Sequence, residues 1–278
     1  MGKLTNPVLL KELKLRFRFF KSVSGMLAYL IAMSIFVIGF FYITTQLTGT
    51  GYFRPSESFY LFSMLSLIQM GMILFIAPGL TAGAISAERE KQTLNMLLTT
   101  TQSSWQIIIG KLLSSLAFLG LLLFASLPFY SLVFLFGGIS PVQLLTVFFF
   151  YFVTMVAIGS IGIFFSTMTK RTITSMIATY SSSVFVAGFT LFFFFISIMV
   201  NQTMIEAGEI APFTYFWLSI NPGALVLSLL SGNLMTEFYT LAGIDIPIWV
   251  TYLLFYTVLS IVLLTISSSR LRANMKRG

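Results

Sequence analysis

Six long apolar runs constrain this chain more than any other feature. They fall at 25–44, 59–85, 107–136, 142–167, 172–200 and 248–267. A helix needs about 20 apolar residues to cross the hydrocarbon of a bilayer, and each run meets that length. Inside lipid the backbone must satisfy its own hydrogen bonds, which leaves α-helices for runs of this length. The fold class is therefore an all-α integral membrane protein with six transmembrane helices. Composition agrees: 57% of the residues are hydrophobic and 9% charged, against roughly 25% charged in soluble domains. A soluble enzyme, a soluble binding module and a disordered chain are excluded.

The ends of the runs carry helix punctuation. Ser140–Pro141 reads as an N-cap and first-turn proline for the fourth span, after Gly137–Gly138 stops the third. Pro247 opens the sixth span, and Pro78 and Pro128 should bend the second and third. Ser104 is the expected cap of the third span. The apolar stretch 212–230 is interrupted by Asn221–Pro222. It reads as two short external or re-entrant helices between spans five and six, rather than as a seventh crossing that would export a basic C-terminus. The first span is too long for a signal-peptide core and no small-residue cleavage site follows it, so it should stay in the mature protein.

Six crossings put both termini on one side. All but one of the 16 Lys and Arg residues fall on that side, Arg54 being the exception. The positive-inside rule makes it the cytoplasmic side. The net charge of +8 thus reports topology and not nucleic-acid binding. No Asp, Glu, Lys or Arg lies mid-span, where ion-coupled carriers keep ionisable groups. Gln69 is the main polar exception and reads as interhelical glue. There is no Cys and no His, which removes thiolate and imidazole chemistry and the metal sites built on them. No catalytic, cofactor or metal-binding residue is expected in this chain. Gly110–Lys111 resembles the end of a phosphate loop only superficially. Trp105 stands where the first glycine belongs, and Leu112 where Ser or Thr belongs.

Two cytoplasmic segments remain. Residues 1–22 contain Lys11, Lys14, Arg18 and Lys21 as a cationic stripe at helical spacing, beside an apolar face that includes Leu13 and Phe17. That pattern suits an amphipathic helix lying in the membrane interface. The loop 86–104 reads SAEREKQTLNMLLTTTQSS. Glu88, Arg89, Glu90 and Lys91 alternate in sign, and Leu94, Leu97 and Leu98 follow at helical spacing. This short helix has an apolar face to bury, either on the membrane or in a groove of another protein. In the second span Gly79-x-x-x-Gly83 allows close helix approach, which suits either a dimer seam or packing within one subunit. The phenylalanine clusters 148–150 and 192–195 read as packing or lipid-facing surface.

The stretch AISAEREKQTLNMLLTTTQSSWQIIIGKLL resembles the segment between the second and third helices of permease subunits of type-2 ABC exporters, the ABC-2 family. The segments NPVLLKELKLRFR and NPGALVLSLLSG are similar to that family as well. One departure is Gln92, where the family commonly has Gly, a change expected to matter little. The resemblance implies a single permease domain over 1–278, in a bacterial cytoplasmic membrane. Loop 86–104 would be the coupling helix. Glu88, Arg89, Glu90 and Lys91 would pair with charges on a separate ATPase subunit, and Leu94, Leu97 and Leu98 would fill its groove. Residues 1–22 would form the elbow helix beside it. Two permease copies or paralogues would make a dimer that forms the substrate path. ATP and Mg would be bound by the partner ATPase, not by this chain. The alternative is a non-transporting membrane anchor or sensor that recruits a cytosolic partner through the same loop.

Overall fold

The structure, a computed structural model, describes residues 12, 20–47, 55–94, 102–137, 139–201, 211–230, 244 and 246–273. Among them every regular element is helical. Six helices are long and apolar enough to cross a membrane. Span one is α1 (Phe20–Tyr42), which ends in a π-turn at Ile43–Leu47. Span two is α2 (Pro55–Thr81), followed after a short break by α3 (Ser86–Glu90). Span three is α4 (Ser104–Ala125) and α5 (Leu127–Phe136). Span four is α6 (Pro141–Met168). Span five is α7 (Thr172–Val184), a π-turn at Phe185–Phe189, and α8 (Thr190–Val200). The pair α9 (Pro212–Ile220) and α10 (Pro222–Leu230) precedes span six, α11 (Ile248–Ala273).

The prolines act where their missing N–H predicts. Pro128 lies in the first turn of α5, just past the break at Ser126. Pro78 sits inside α2, one turn before that helix ends at Thr81. Ser140 caps α6 by accepting from the Gln143 N–H at 3.2 Å, with Pro141 in the first turn. Gly137 closes α5 at φ 76°, a conformation that favours glycine. The cap of α4 falls one residue before the expected Ser104. Ser103 and Gln106 form a reciprocal capping box, because only Ser103 has an N3 residue with an amide that reaches back.

Span four is the core of the bundle and packs on spans two, three, five and six. It can lie that close because it carries glycines. A Cβ on Gly162 would stand 2.8 Å from Thr81 Cβ and 3.3 Å from the Ala82 nitrogen, and one on Gly159 would stand 2.8 Å from Leu112 Cδ1. Span one is peripheral. It buries Tyr29, Met33 and Val37 at helical spacing and leaves Leu27, Ile31, Ile35 and Ile38 exposed, as a helix with one face to lipid should. Gln69 is buried and accepts from the Tyr29 hydroxyl, joining spans one and two. The break at Asn221–Pro222 bends α9 and α10 by 94°.

Candidate functional site

The second span with α3 forms a 34-residue helical unit, Glu57–Glu90. At about 1.5 Å per residue it is far longer than the ~30 Å hydrocarbon layer. The apolar run stops at Ile85, so α3 stands beyond it, at the end of the bundle that carries the termini. The break before α3 frees backbone N–H groups. Ser166 of span four takes two of them: its Oγ accepts from the Ile85 and Ser86 N–H groups at 2.8 and 2.9 Å.

The other end of α3 is held by charge. Arg89 donates to the Thr169 and Thr167 carbonyls at 2.5 and 3.1 Å. These are carbonyls of the last turn and cap of α6, which have no helical partner and carry the negative end of the helix dipole. Glu90 accepts from the Thr172 N–H at 3.0 Å and the Thr172 hydroxyl at 2.7 Å. Thr172 begins α7, whose own N-cap residue, Arg171, makes no side-chain cap bond. Glu90 therefore caps α7 from another part of the chain. Two consecutive residues of opposite sign thus grip the end of span four and the start of span five, each matched to the dipole it faces. The Thr172 bonds and nearby Arg171 hold the Glu90 carboxyl below its ordinary pKa. Burial lowers that of Arg89, which stays charged at any physiological pH.

Lys111 completes the assembly. It lies in span three, is 4% exposed, and pairs with Glu12 at 2.8 Å and Glu88 at 3.5 Å. Glu88 also accepts from the Thr93 hydroxyl. The short helix is joined in this way to spans three, four and five and to the N-terminal segment. It ends in a Schellman arrangement: Thr93 N–H donates to Glu88 O at 3.0 Å and Gln92 N–H to Arg89 O at 3.1 Å. Gln92 has φ 59°. The family's common glycine at this place has a physical reason, and Gln92 is a less neutral departure than expected.

The structure redistributes the predicted contacts. Glu88, Arg89 and Glu90, assigned above to charges on a partner, have partners within this chain. Lys91 is exposed. Leu94, assigned above to a partner's groove, is 7% exposed and belongs to the chain's own apolar core. It follows directly on a helix already clamped to the bundle and turns inward with it. Leu97 and Leu98 lie outside the described residues, as do Lys11, Leu13, Lys14, Phe17 and Arg18, while Lys21 falls in the first turn of α1. Gly79 and Gly83 face span five of the same chain. A Cβ on Gly79 would stand 2.9 Å from Tyr180 Oη, and one on Gly83 3.4 Å from Thr172 Cγ2.

Sequence reasoning missed Lys111, Ser166 and Thr172 as parts of this site. Their partners lie between 23 and 99 positions away along the chain, and no local spacing links them. Among the described residues no group of three or more Asp or Glu side chains is placed to hold a metal ion.

No curated protein matches the chain. A family model described as ABC-2 family transporter protein matches residues 18–268, which takes in spans one to five, most of the sixth, the clamped helix and the bent pair. With that match over most of its length, the chain belongs to the ABC-2 family of membrane transporter proteins.

Proposed function

We propose that this permease is driven by a separate ATPase subunit that docks on the loop 86–104, and that α3 passes the motion of that loop into the bundle. The supporting observation is the double grip of Arg89 and Glu90 on the turn between spans four and five. A free loop would absorb a push. A helix bonded to the facing ends of two spans delivers it to both, and Ser166 and Lys111 extend the same connection to its N-terminal end and to span three. Docking and transmission then belong to different residues. The exposed Lys91 and the leucines beyond Leu94 would meet the ATPase, while Arg89, Glu90 and Glu88 carry the load inward.

Two such permeases would form the path, with the termini and the loop in the cytoplasm. Closure of the ATPase pair on ATP would favour one of two arrangements of the spans, and release the other. The direction is export. Away from their ends the spans are aromatic-rich and uncharged, which suits a hydrophobic or amphipathic cargo.

The test separates docking from transmission. In Leu97→Glu/Leu98→Glu the ATPase should no longer co-purify with the folded permease. In Arg89→Ala it should still co-purify and hydrolyse ATP, with substrate movement falling by at least about tenfold. Retention of the ATPase by the double leucine variant overturns the docking assignment. Unchanged transport by Arg89→Ala overturns the transmission assignment. An ATPase that binds yet moves no candidate substrate in vesicles favours an anchor or sensor.

A further inference from the structure

At the end of the bundle opposite the clamp, the 94° bend between α9 and α10 has Asn221 at its apex. Asn221 is 1% exposed, and its amide is fully engaged. Its Oδ1 accepts from the Ala224 N–H at 2.9 Å and so caps α10. Its Nδ2 donates to the Ala187 carbonyl at 2.8 Å and to the Thr190 hydroxyl oxygen at 2.7 Å. Both acceptors belong to span five. Ala187 lies inside the π-turn Phe185–Phe189, and Thr190 is the residue that closes it, its N–H reaching back five places to Phe185 O.

The location is informative. A π-turn carries one residue more than an α-turn and disturbs the backbone ladder around it. Buried carbonyls near it need other donors, and Asn221 supplies one. The rest of the bent pair is fixed around this point. Tyr256 of span six donates to the Ile220 carbonyl at 2.7 Å, on the other side of the apex. The arm α9 rides on α8, the part of span five beyond the π-turn: Ser197 bonds to Thr214, and Phe193 stacks on Trp217 at 4.8 Å. The arm α10 packs on α2, α6, α11 and the π-turn itself. The arm α9 also packs on span six, and just before that span the Tyr215 hydroxyl donates to the Ile246 carbonyl at 2.6 Å. The apex therefore sits between an arm shared by α8 and span six and an arm held by the rest of the bundle.

We infer that Asn221 is a positioning residue that holds the π-turn of span five open, so that the apex of the bent pair sets the register of α8. Withdrawal of the amide lets the π-turn relax to an α-turn. Loss of one residue from a turn rotates everything beyond it by about 100° about the helix axis and shifts it by about 1.5 Å. The face that α8 presents to the bundle and to α9 then changes. This rests on the transport reading for its purpose, which is to set the mouth at this end of the path. The geometry stands apart from that reading.

The chain has no cysteine, so introduced pairs can carry spin labels without background. Leu135 and Met199, 78% and 77% exposed, lie near the ends of spans three and five at this end of the bundle. Val184, also exposed, lies just before the π-turn. Asn221→Ser keeps a good N-cap for α10 but is too short to reach Ala187. In that variant the 135–199 distance should shift by up to about 12 Å, the chord swept by a label about 8 Å off an axis turned by about 100°, while the 135–184 distance stays put. Distances unchanged at both pairs, or shifted equally at both, overturn the inference. Should Asn221→Ser fail to yield folded protein, Thr190→Val removes one of the two acceptors. A smaller shift confined to 135–199 then supports the latch, and none overturns it. Neither label experiment requires the ATPase or a substrate, so failure here is separable from failure of the transport reading.

Discussion

The two ends of this bundle solve one problem with different chemistry. At each end a short helix that does not cross the membrane is bonded to irregular points of the spans. At the clamp, Arg89 and Glu90 take up the end of α6 and the start of α7 with full charges. At the apex, Asn221 takes up a π-turn with a neutral amide. The difference follows from the surroundings. Arg89 is half-buried and Glu90 exposed, so each keeps contact with water, and an ion there keeps part of its hydration. Asn221 is 1% exposed, where an unpaired ion costs several kcal/mol. Among the described residues charge collects at or beyond the ends of the apolar runs, buried Lys111 near the start of span three being neutralised by Glu12 and Glu88, and hydroxyls and amides serve deeper within them.

The largest effect should come from putting the chemistry of one end into the other. Asn221→Lys places an ammonium among carbonyl and hydroxyl oxygens, with no carboxylate among the described residues there to neutralise it. The expected loss is about 3–5 kcal/mol, enough to abolish recovery of folded protein. Recovery at the native level would show that the apex admits water and that its neutrality is incidental. The converse exchange is milder. Arg89→Gln keeps a donor but loses charge and reach, and should cost about 1–2 kcal/mol, read as a lower unfolding temperature of the purified permease. A loss equal to that of Asn221→Lys would mean that the two ends are equally dry.

Salt and pH sharpen the same contrast. The clamp should weaken between low and high ionic strength, since the Debye length falls from about 10 Å at 0.1 M to about 3 Å at 1 M. Hydrogen exchange at α3 should rise with salt, and exchange at α10 should not. The Glu90 carboxyl titrates below its unfolded value. Its contribution is therefore fully present above the unfolded pKa and is lost as pH falls through the lower folded one. Protection of Thr172 should hold from neutral pH down to about 4 and fail only below it. Loss of protection near pH 6 would contradict the cap.

The two ends also differ in how much of them the sequence revealed. The six spans were legible because lipid imposes a length and a polarity on every crossing. The bent pair was legible because Asn221–Pro222 is a local break. What Asn221 bonds to was not, since FVAGF has the composition of any apolar helix and nothing in it announces a π-turn. At the clamp, the alternating charges at 88–91 marked the site, but not their partners. Arg89 and Glu90 meet residues about 80 positions away, so a local reading sends them outward to another protein. Lys111 was counted as one more cation of the basic side. Its burial between Glu12 and Glu88 depends on how three separate segments pack.

The smallest effect tests whether the clamp is as well built as the apex. Gln92 holds a left-handed backbone at φ 59°, and its N–H closes the end of α3 on Arg89 O. A side chain in that conformation costs about 1 kcal/mol relative to glycine, because its Cβ crowds the backbone. Gln92 is exposed, so its replacement removes no buried contact. Gln92→Gly should therefore stabilise the purified permease by up to about 1 kcal/mol, less the extra freedom that glycine gives the unfolded chain. The gain should appear as slower hydrogen exchange in 86–93, with α9 and α10 unchanged. A loss of stability would mean that α3 does not end in the Schellman turn, and the grip of Arg89 and Glu90, which that turn positions, would have to be drawn differently.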